Sequence, residues 1–167
     1  MASIEDLILL PKPRSVIARS GAYRLTSGLK ITCHGDTESL FPIARRLQRA
    51  LRENQRIGWT LRAGDPGLYG SGGGATITLV PDQGIPVQGY QLRISDDGIE
   101  LVAGDAAGAF YGVATLVQML RQCEGALPAG EIEDSPDFPV RGVMLDISRS
   151  KVPTMETLFD MVEMFSG

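Results

Sequence analysis

The sequence predicts an α+β domain, a small and mostly antiparallel sheet with two helices on one face, followed by a single βα unit of different character. Three observations carry this. Two alternating runs, Tyr90–Ser95 and Ile99–Leu101, flank an Asp97-Gly98 dipeptide and read as a β-hairpin. Two longer segments, Phe41–Arg56 and Asp105–Gln122, repeat apolar residues at helical spacing. After a proline-rich stretch comes the nearly continuous apolar run Val140–Ile147, and then a third amphipathic segment.

Taken in order, Leu10-Pro-Lys-Pro13 is bounded by prolines and must be extended. Short strands are expected at Ser15–Arg19 and Leu29–Cys33, separated by Gly21 and Gly28. In Phe41–Arg56, Pro42 suits a first helical turn, and Phe41, Ala44, Leu47 and Leu51 line one face. The other face carries Arg45, Arg46, Arg49, Arg52 and Arg56, read as a solvated surface rather than an anion site. Trp59–Arg62 is a short strand. Gly64–Gly74 holds six glycines, but no G-K-[ST] follows, so it reads as a connection and not a phosphate cradle. Ala75–Val80 alternates like a strand.

In the hairpin, Gly98 is expected to take the positive φ of a tight turn. Asp105 is placed to cap the next helix, whose apolar stripe is Phe110, Val113, Ala114, Val117 and Leu120. Gly108 and Gly112 each cost that helix about 1 kcal/mol of propensity, so keeping both implies close backbone approach to the sheet. Pro128, Asp134, Pro136, Asp137 and Pro139 then mark a linker. Beyond it, Val140–Ile147 is expected to be a strand of the kind buried on both faces. Pro153 opens a helix with Met155, Leu158, Phe159, Val162 and Phe165 on one side. One βα unit has no partner strands of its own, so the polypeptide is expected to belong to something longer. By itself this unit would be disordered, or would associate with a second copy or with the preceding domain.

Bulk properties narrow the function. An apolar content of 43% with 22% charged residues is that of a globular protein. The net charge of −4, without a Lys-rich run, offers no footprint for a phosphate backbone, so no nucleic-acid partner is expected. No stretch approaches the roughly 20 apolar residues of a membrane span. Glu5 and Asp6 precede only a short apolar run, unlike a signal peptide, which favours a cytoplasmic product, or a periplasmic or secreted one if a leader has been removed. Cys33 and Cys123 form no C-x-x-C pattern and are expected to be free thiols. His34 precedes Gly35 in an expected turn, and the adjacent acids Glu5-Asp6, Asp96-Asp97 and Glu133-Asp134 read as solvated charges. No Ser-His-Asp set, metal cluster or cofactor motif is visible.

Three segments, in this order, carry a resemblance: Gly89–Gly98, Gly108–Leu120 and Asp137-Phe-Pro-Val-Arg-Gly-Val-Met-Leu-Asp-Ile-Ser-Arg149. Together with Leu10–Pro13 they resemble the family twenty glycoside hydrolases, the β-N-acetylhexosaminidases, over essentially the whole chain. The resemblance implies that residues 7–135 are the family's non-catalytic accessory domain. It implies that residues 138–167 are the first strand and helix of an incomplete (β/α)₈ barrel, whose active site would lie at the C-terminal strand ends. Arg149, just past the strand, matches the arginine that binds hydroxyls of the terminal sugar, a task suited to rigidly arranged guanidinium donors. Asp146 either supports that site or satisfies backbone groups. The implied chemistry is substrate-assisted retaining hydrolysis: the sugar's own 2-acetamido oxygen attacks the anomeric carbon, an Asp orients it, and a neighbouring Glu is the acid/base. That pair belongs to the fourth barrel strand, so no catalytic residue is expected in this chain and no metal is required. The implied partner is a terminal N-acetylhexosamine of a glycan. The competing readings are a stand-alone carbohydrate- or protein-binding module, or the accessory domain of another glycosidase family.

Overall fold

The computed structural model describes residues 3–64, 73–81, 84–148 and 152–165. The chain divides into two compact units, Met1–Asp137 and Phe138–Gly167. The first opens with a 3₁₀ turn, Ile4–Asp6, followed by β1 (Ser15–Arg24), β2 (Lys30–His34), α1 (Thr37–Gln55), β3 (Thr60–Ala63) and β4 (Ala75–Leu79). Then come β5 (Tyr90–Ser95), β6 (Gly98–Ala103), α2 (Ala106–Gln122) and β7 (Ala126–Asp134).

Among the described residues the seven strands form one sheet in the order β1-β7-β5-β6-β4-β2-β3. The sheet is mixed rather than mostly antiparallel. β1–β7, β5–β7 and β5–β6 run antiparallel, whereas β2–β3, β2–β4 and β4–β6 run parallel. The parallel β2–β3 pair follows from the crossover through α1, because parallel neighbours need a long connection.

Two rows of side chains show how the sheet divides. One row, Val16–Ile132–Leu92–Leu101–Ile77–Cys33–Ala63, crosses every strand, and its five central members are buried. The next row lies on the other face and reads Ile17–Glu131–Arg93–Glu100–Thr76–Thr32–Arg62. Period-two alternation therefore holds across the whole sheet. The two helices pack on each other and on the apolar face, α2 against β5 and β6, α1 against β2 and β3. The fold is α+β.

The glycines of α2 explain the close fit. A Cβ on Gly108 would run into the carbonyl oxygen of Gly89, and one on Gly112 into Leu101 Cδ1, with the Tyr90 ring at 3.1 Å. The backbone approach expected from the sequence is therefore present. Asp105 is the N-cap of α2, accepting the Gly108 N–H at 2.8 Å. Beneath the helix, the Tyr90 and Thr115 hydroxyls meet at 2.6 Å, so neither is buried without a partner.

Several expectations are corrected. β1 does not stop at Arg19; it continues to Arg24 across an irregularity between Ala18 and Ala22, where Gly21 takes φ +107. The Ala22 N–H there donates to Asp96 Oδ1 at 2.9 Å, so the strand bends around the hairpin turn. The turn residues are Asp96-Asp97, not Asp97-Gly98: Ser95 pairs with Gly98, which is already in β6 and has no positive φ. The use of glycine at 98 is spatial, since a Cβ would sit 3.2 Å from the Gly74 carbonyl oxygen. α1 begins a turn earlier than expected, capped by Asp36, whose carboxylate receives the Ser39 hydroxyl at 2.7 Å and holds its own proton less tightly than usual through those Ser39 bonds. Pro42 consequently lies inside the helix, on its exposed side. The arginine face is not uniformly solvated, because the Arg46 guanidinium stacks over the Phe110 ring at 4.8 Å.

The largest correction is β7. Read as linker because of Pro128, it is an interior strand between β1 and β5. Its ladder with β5 covers only Gly130–Asp134, so Pro128 lies where β7 is paired with β1 alone among the described strands, opposite Ala22. Proline is tolerated there because only one side of the strand carries a ladder. Most of the glycine-rich connection 64–74 falls outside the described residues.

Considered by itself, the second unit contains one helix among its described residues, α3 (Met155–Phe165). Thr157 N–H donates to Thr154 Oγ1 at 3.2 Å at its start, immediately after Pro153. The run Val140–Ile147 forms no strand; its backbone joins no ladder among the described residues. A strand exists by pairing, and among the described residues this segment pairs with none.

Candidate functional site

The two residues singled out for a sugar site lie in the second unit. Arg149 lies outside the described residues. Asp146 is exposed, and its Oδ1 accepts the Ser148 N–H at 2.8 Å. The hydrogen bonds from Ser148 favour the ionised carboxylate and hold Asp146 below the usual acid range. Asp146 thus closes a small side-chain turn over residues 146–148. Around it, Val140, Val143, Met144, Leu145 and Ile147 are all exposed, Met144 by 93%. In α3, Met155, Phe159, Val162 and Phe165 are exposed as well. The run and the helix thus both carry several large exposed apolar side chains.

Among the described residues no catalytic constellation is brought together elsewhere. The adjacent acids do structural work. Asp6 closes a capping box with Ser3, Asp96 holds Ala22, Glu133 accepts from Gln91 Nε2 at 3.1 Å, and Asp134 accepts the Arg14 N–H at 3.2 Å. His34 is the last residue of β2, and Gly35, at φ +103, makes the turn after it. Among the described residues no three His, Cys, Asp or Glu side chains gather as a metal site, and no helix is long and apolar enough to cross a membrane.

Both cysteines are free. Burial pushes the Cys33 thiol up to about 11 and raises Cys123 as well. Because the folded value of Cys33 is raised, its contribution to stability is complete below the unfolded-chain value and is lost as pH climbs toward 11. Native protein at pH 8 is therefore expected to leave Cys33 unlabelled by iodoacetamide; rapid labelling without unfolding would contradict its burial.

Sequence reasoning missed Arg14, which ties the N-terminal segment to the end of the first unit. Besides its N–H bond to Asp134, its Nε donates to the Ser135 carbonyl at 2.7 Å and its guanidinium pairs with Asp137. It also missed Gln118 and Gln122, whose amides bind Leu10 and Ile8. Two polar amides four residues apart on an otherwise apolar helix were the available signal.

The model of glycosyl hydrolase family 20, domain 2, matches residues 6–135. The chain belongs to glycosyl hydrolase family 20. Within the family, it is 29% identical over 170 residues to a β-hexosaminidase of Porphyromonas gingivalis, covering 94% of this chain and 21% of that protein. It is 41% identical over 76 residues to the N,N'-diacetylchitobiase of Vibrio harveyi, covering 43% of this chain and 9% of the other. Among solved structures, the Streptomyces plicatus N-acetyl-β-hexosaminidase superposes with a TM-score of 0.74 at 25% identity, over 95% of this chain and 32% of that one. This family 20 chain thus spans about a fifth of the Porphyromonas protein's length.

Proposed function

We propose that this chain is the front portion of a β-N-acetylhexosaminidase that removes terminal N-acetylhexosamine from glycoconjugates or chitooligosaccharides. Residues 7–135 are its non-catalytic accessory domain, and residues 138–167 supply the first strand and helix of a (β/α)₈ barrel. The observation that carries this is the family 20 match, together with relatives named β-hexosaminidase and chitobiase. The bare apolar run Val140–Ile147 followed by the amphipathic α3 supports the barrel part of the reading.

In this reading Arg149 reaches the terminal sugar's hydroxyls from the strand end, and the Asp146 turn sets the direction of the backbone entering it. The bond-breaking chemistry would be substrate-assisted, with the 2-acetamido oxygen as nucleophile and an Asp-Glu pair from the rest of the barrel. A sugar-binding module is the weaker alternative. The two central rows of the open sheet face contain no Trp, Tyr or Phe, and Trp59, Tyr23 and Tyr90 are buried in the core.

Residues 1–167 are expected to give no turnover of an aryl N-acetyl-β-glucosaminide, whereas protein carrying the downstream reading frame turns it over. Clear hydrolysis by residues 1–167 alone would refute the assignment.

A further inference from the structure

The N-terminal segment does more than lead into β1. Ile8 N–H donates to Gln122 Oε1 at 2.9 Å, and Gln122 Nε2 returns a bond to the Ile8 carbonyl at 2.8 Å. One step along, Leu10 N–H donates to Gln118 Oε1 at 2.9 Å and Gln118 Nε2 donates to the Leu10 carbonyl at 2.9 Å. Each side-chain amide thus takes the place of one peptide group of a partner strand, donating and accepting at the same residue.

The geometry has a simple basis. Residues four apart on a helix are separated by about 6 Å along its axis. Residues two apart on an extended chain are separated by about 6.6 Å. Two glutamines at i and i+4 therefore match two peptide groups at j and j+2, run in the opposite sense.

The side chains of the bound segment follow the same alternation. Ile8 and Leu10 are each 70% exposed, whereas Leu9 between them is 7% exposed and belongs to the core. Ile4, further upstream, is 1% exposed and fills the space left open by Gly130, where a Cβ would meet its Cγ2 at 2.8 Å.

We propose that Gln118 and Gln122 form a backbone-reading docking site on α2 for an extended peptide with one apolar central residue, occupied by residues 8–10 of this chain. Recognition is by the peptide groups at positions 8 and 10 and by the side chain at position 9. Because the side chains of residues 8 and 10 point to solvent, those two positions tolerate replacement. This inference is independent of the proposed enzymatic function.

Amide hydrogen exchange on the full chain tests it. The Ile8 and Leu10 amides are expected to be protected although their side chains are in water. In the double variant Gln118→Ala, Gln122→Ala their protection is expected to fall by about tenfold or more, while Leu92 and Leu101 in the sheet keep theirs. In Ile8→Ser, Leu10→Ser the protection is expected to persist. Should the alanine pair lose the sheet protection as well, Gln118→Met, Gln122→Met decides, since it keeps the side-chain length and removes the oxygens that accept the Ile8 and Leu10 N–H groups, and is expected to weaken protection at the same two amides. Unchanged exchange at residues 8 and 10 in a folded glutamine variant overturns the proposal, and so does lost protection in the serine pair.

Discussion

Gly108→Val is expected to destabilise the first unit by more than about 3 kcal/mol, at the upper end of overpacking effects. The cause is specific. The atom in the way is the Gly89 carbonyl oxygen, which is itself fixed by the Gly104 N–H at 3.2 Å, and Gly89 N–H is held by the Pro86 carbonyl at 2.8 Å. Backbone meets backbone there, so no side chain can rotate away. Gly108→Ala is the sharper experiment because helix propensity alone would make it stabilising by about 1 kcal/mol. Here it is expected to be destabilising. Gly112→Ala is expected to cost less, because its neighbours are the Leu101 methyls and the Tyr90 ring edge, which can shift. Urea unfolding followed by the fluorescence of Trp59, the sole tryptophan, reads all three variants. Equal or increased stability in Gly108→Ala would show that helix and sheet are not in contact at this point.

Arg149→Ala, made in protein carrying the downstream reading frame, is expected to lower kcat/KM on an aryl N-acetyl-β-glucosaminide by about a hundredfold. That corresponds to the roughly 1.5–3 kcal/mol carried by hydrogen bonds to a charged group. Thermal unfolding is expected to stay unchanged, because the residue is assigned to sugar and not to core. Arg149→Lys is expected to recover little, since an ammonium lacks the planar fork of donors. Kinetics unaltered in Arg149→Ala would remove its assigned role while leaving the fold and family untouched.

The strongest readings from sequence were those where one physical signal acts locally. The β5–β6 pairing, the Asp105 cap and the close approach at Gly108 and Gly112 each follow from neighbouring residues. Where the sequence misled, a tertiary feature overrode a local one. Pro128 argues against a strand, yet β7 crosses the sheet because its ladder with β5 begins only at Gly130. Gly21 looks like a strand end, but the Asp96 carboxylate from the hairpin turn bonds to Ala22 and carries β1 through the bend. The parallel half of the sheet depends on how β2, β3, β4 and β6 are ordered across it, which hydrophobic period does not encode. The apolar run Val140–Ile147 has the composition of a strand, but composition does not fix pairing, and it joins no ladder among the described residues. Asp146 and Arg149 were named from the motif alone; Gln118 and Gln122 show in the sequence only as two amides on an apolar helix, because what they bind is a segment more than a hundred residues away.

The first unit carries a hydrophobic core drawn from its own strands and helices. Limited trypsin digestion of dilute chain, with mass spectrometry and thermal unfolding of the product, tests this most directly. Cleavage is expected first at Arg141, Arg149 and Lys151, leaving a fragment that ends near residue 141 and melts at the same temperature as the whole chain. Residues 140–165 remaining uncut, or a trimmed fragment that melts well below the parent, would contradict it.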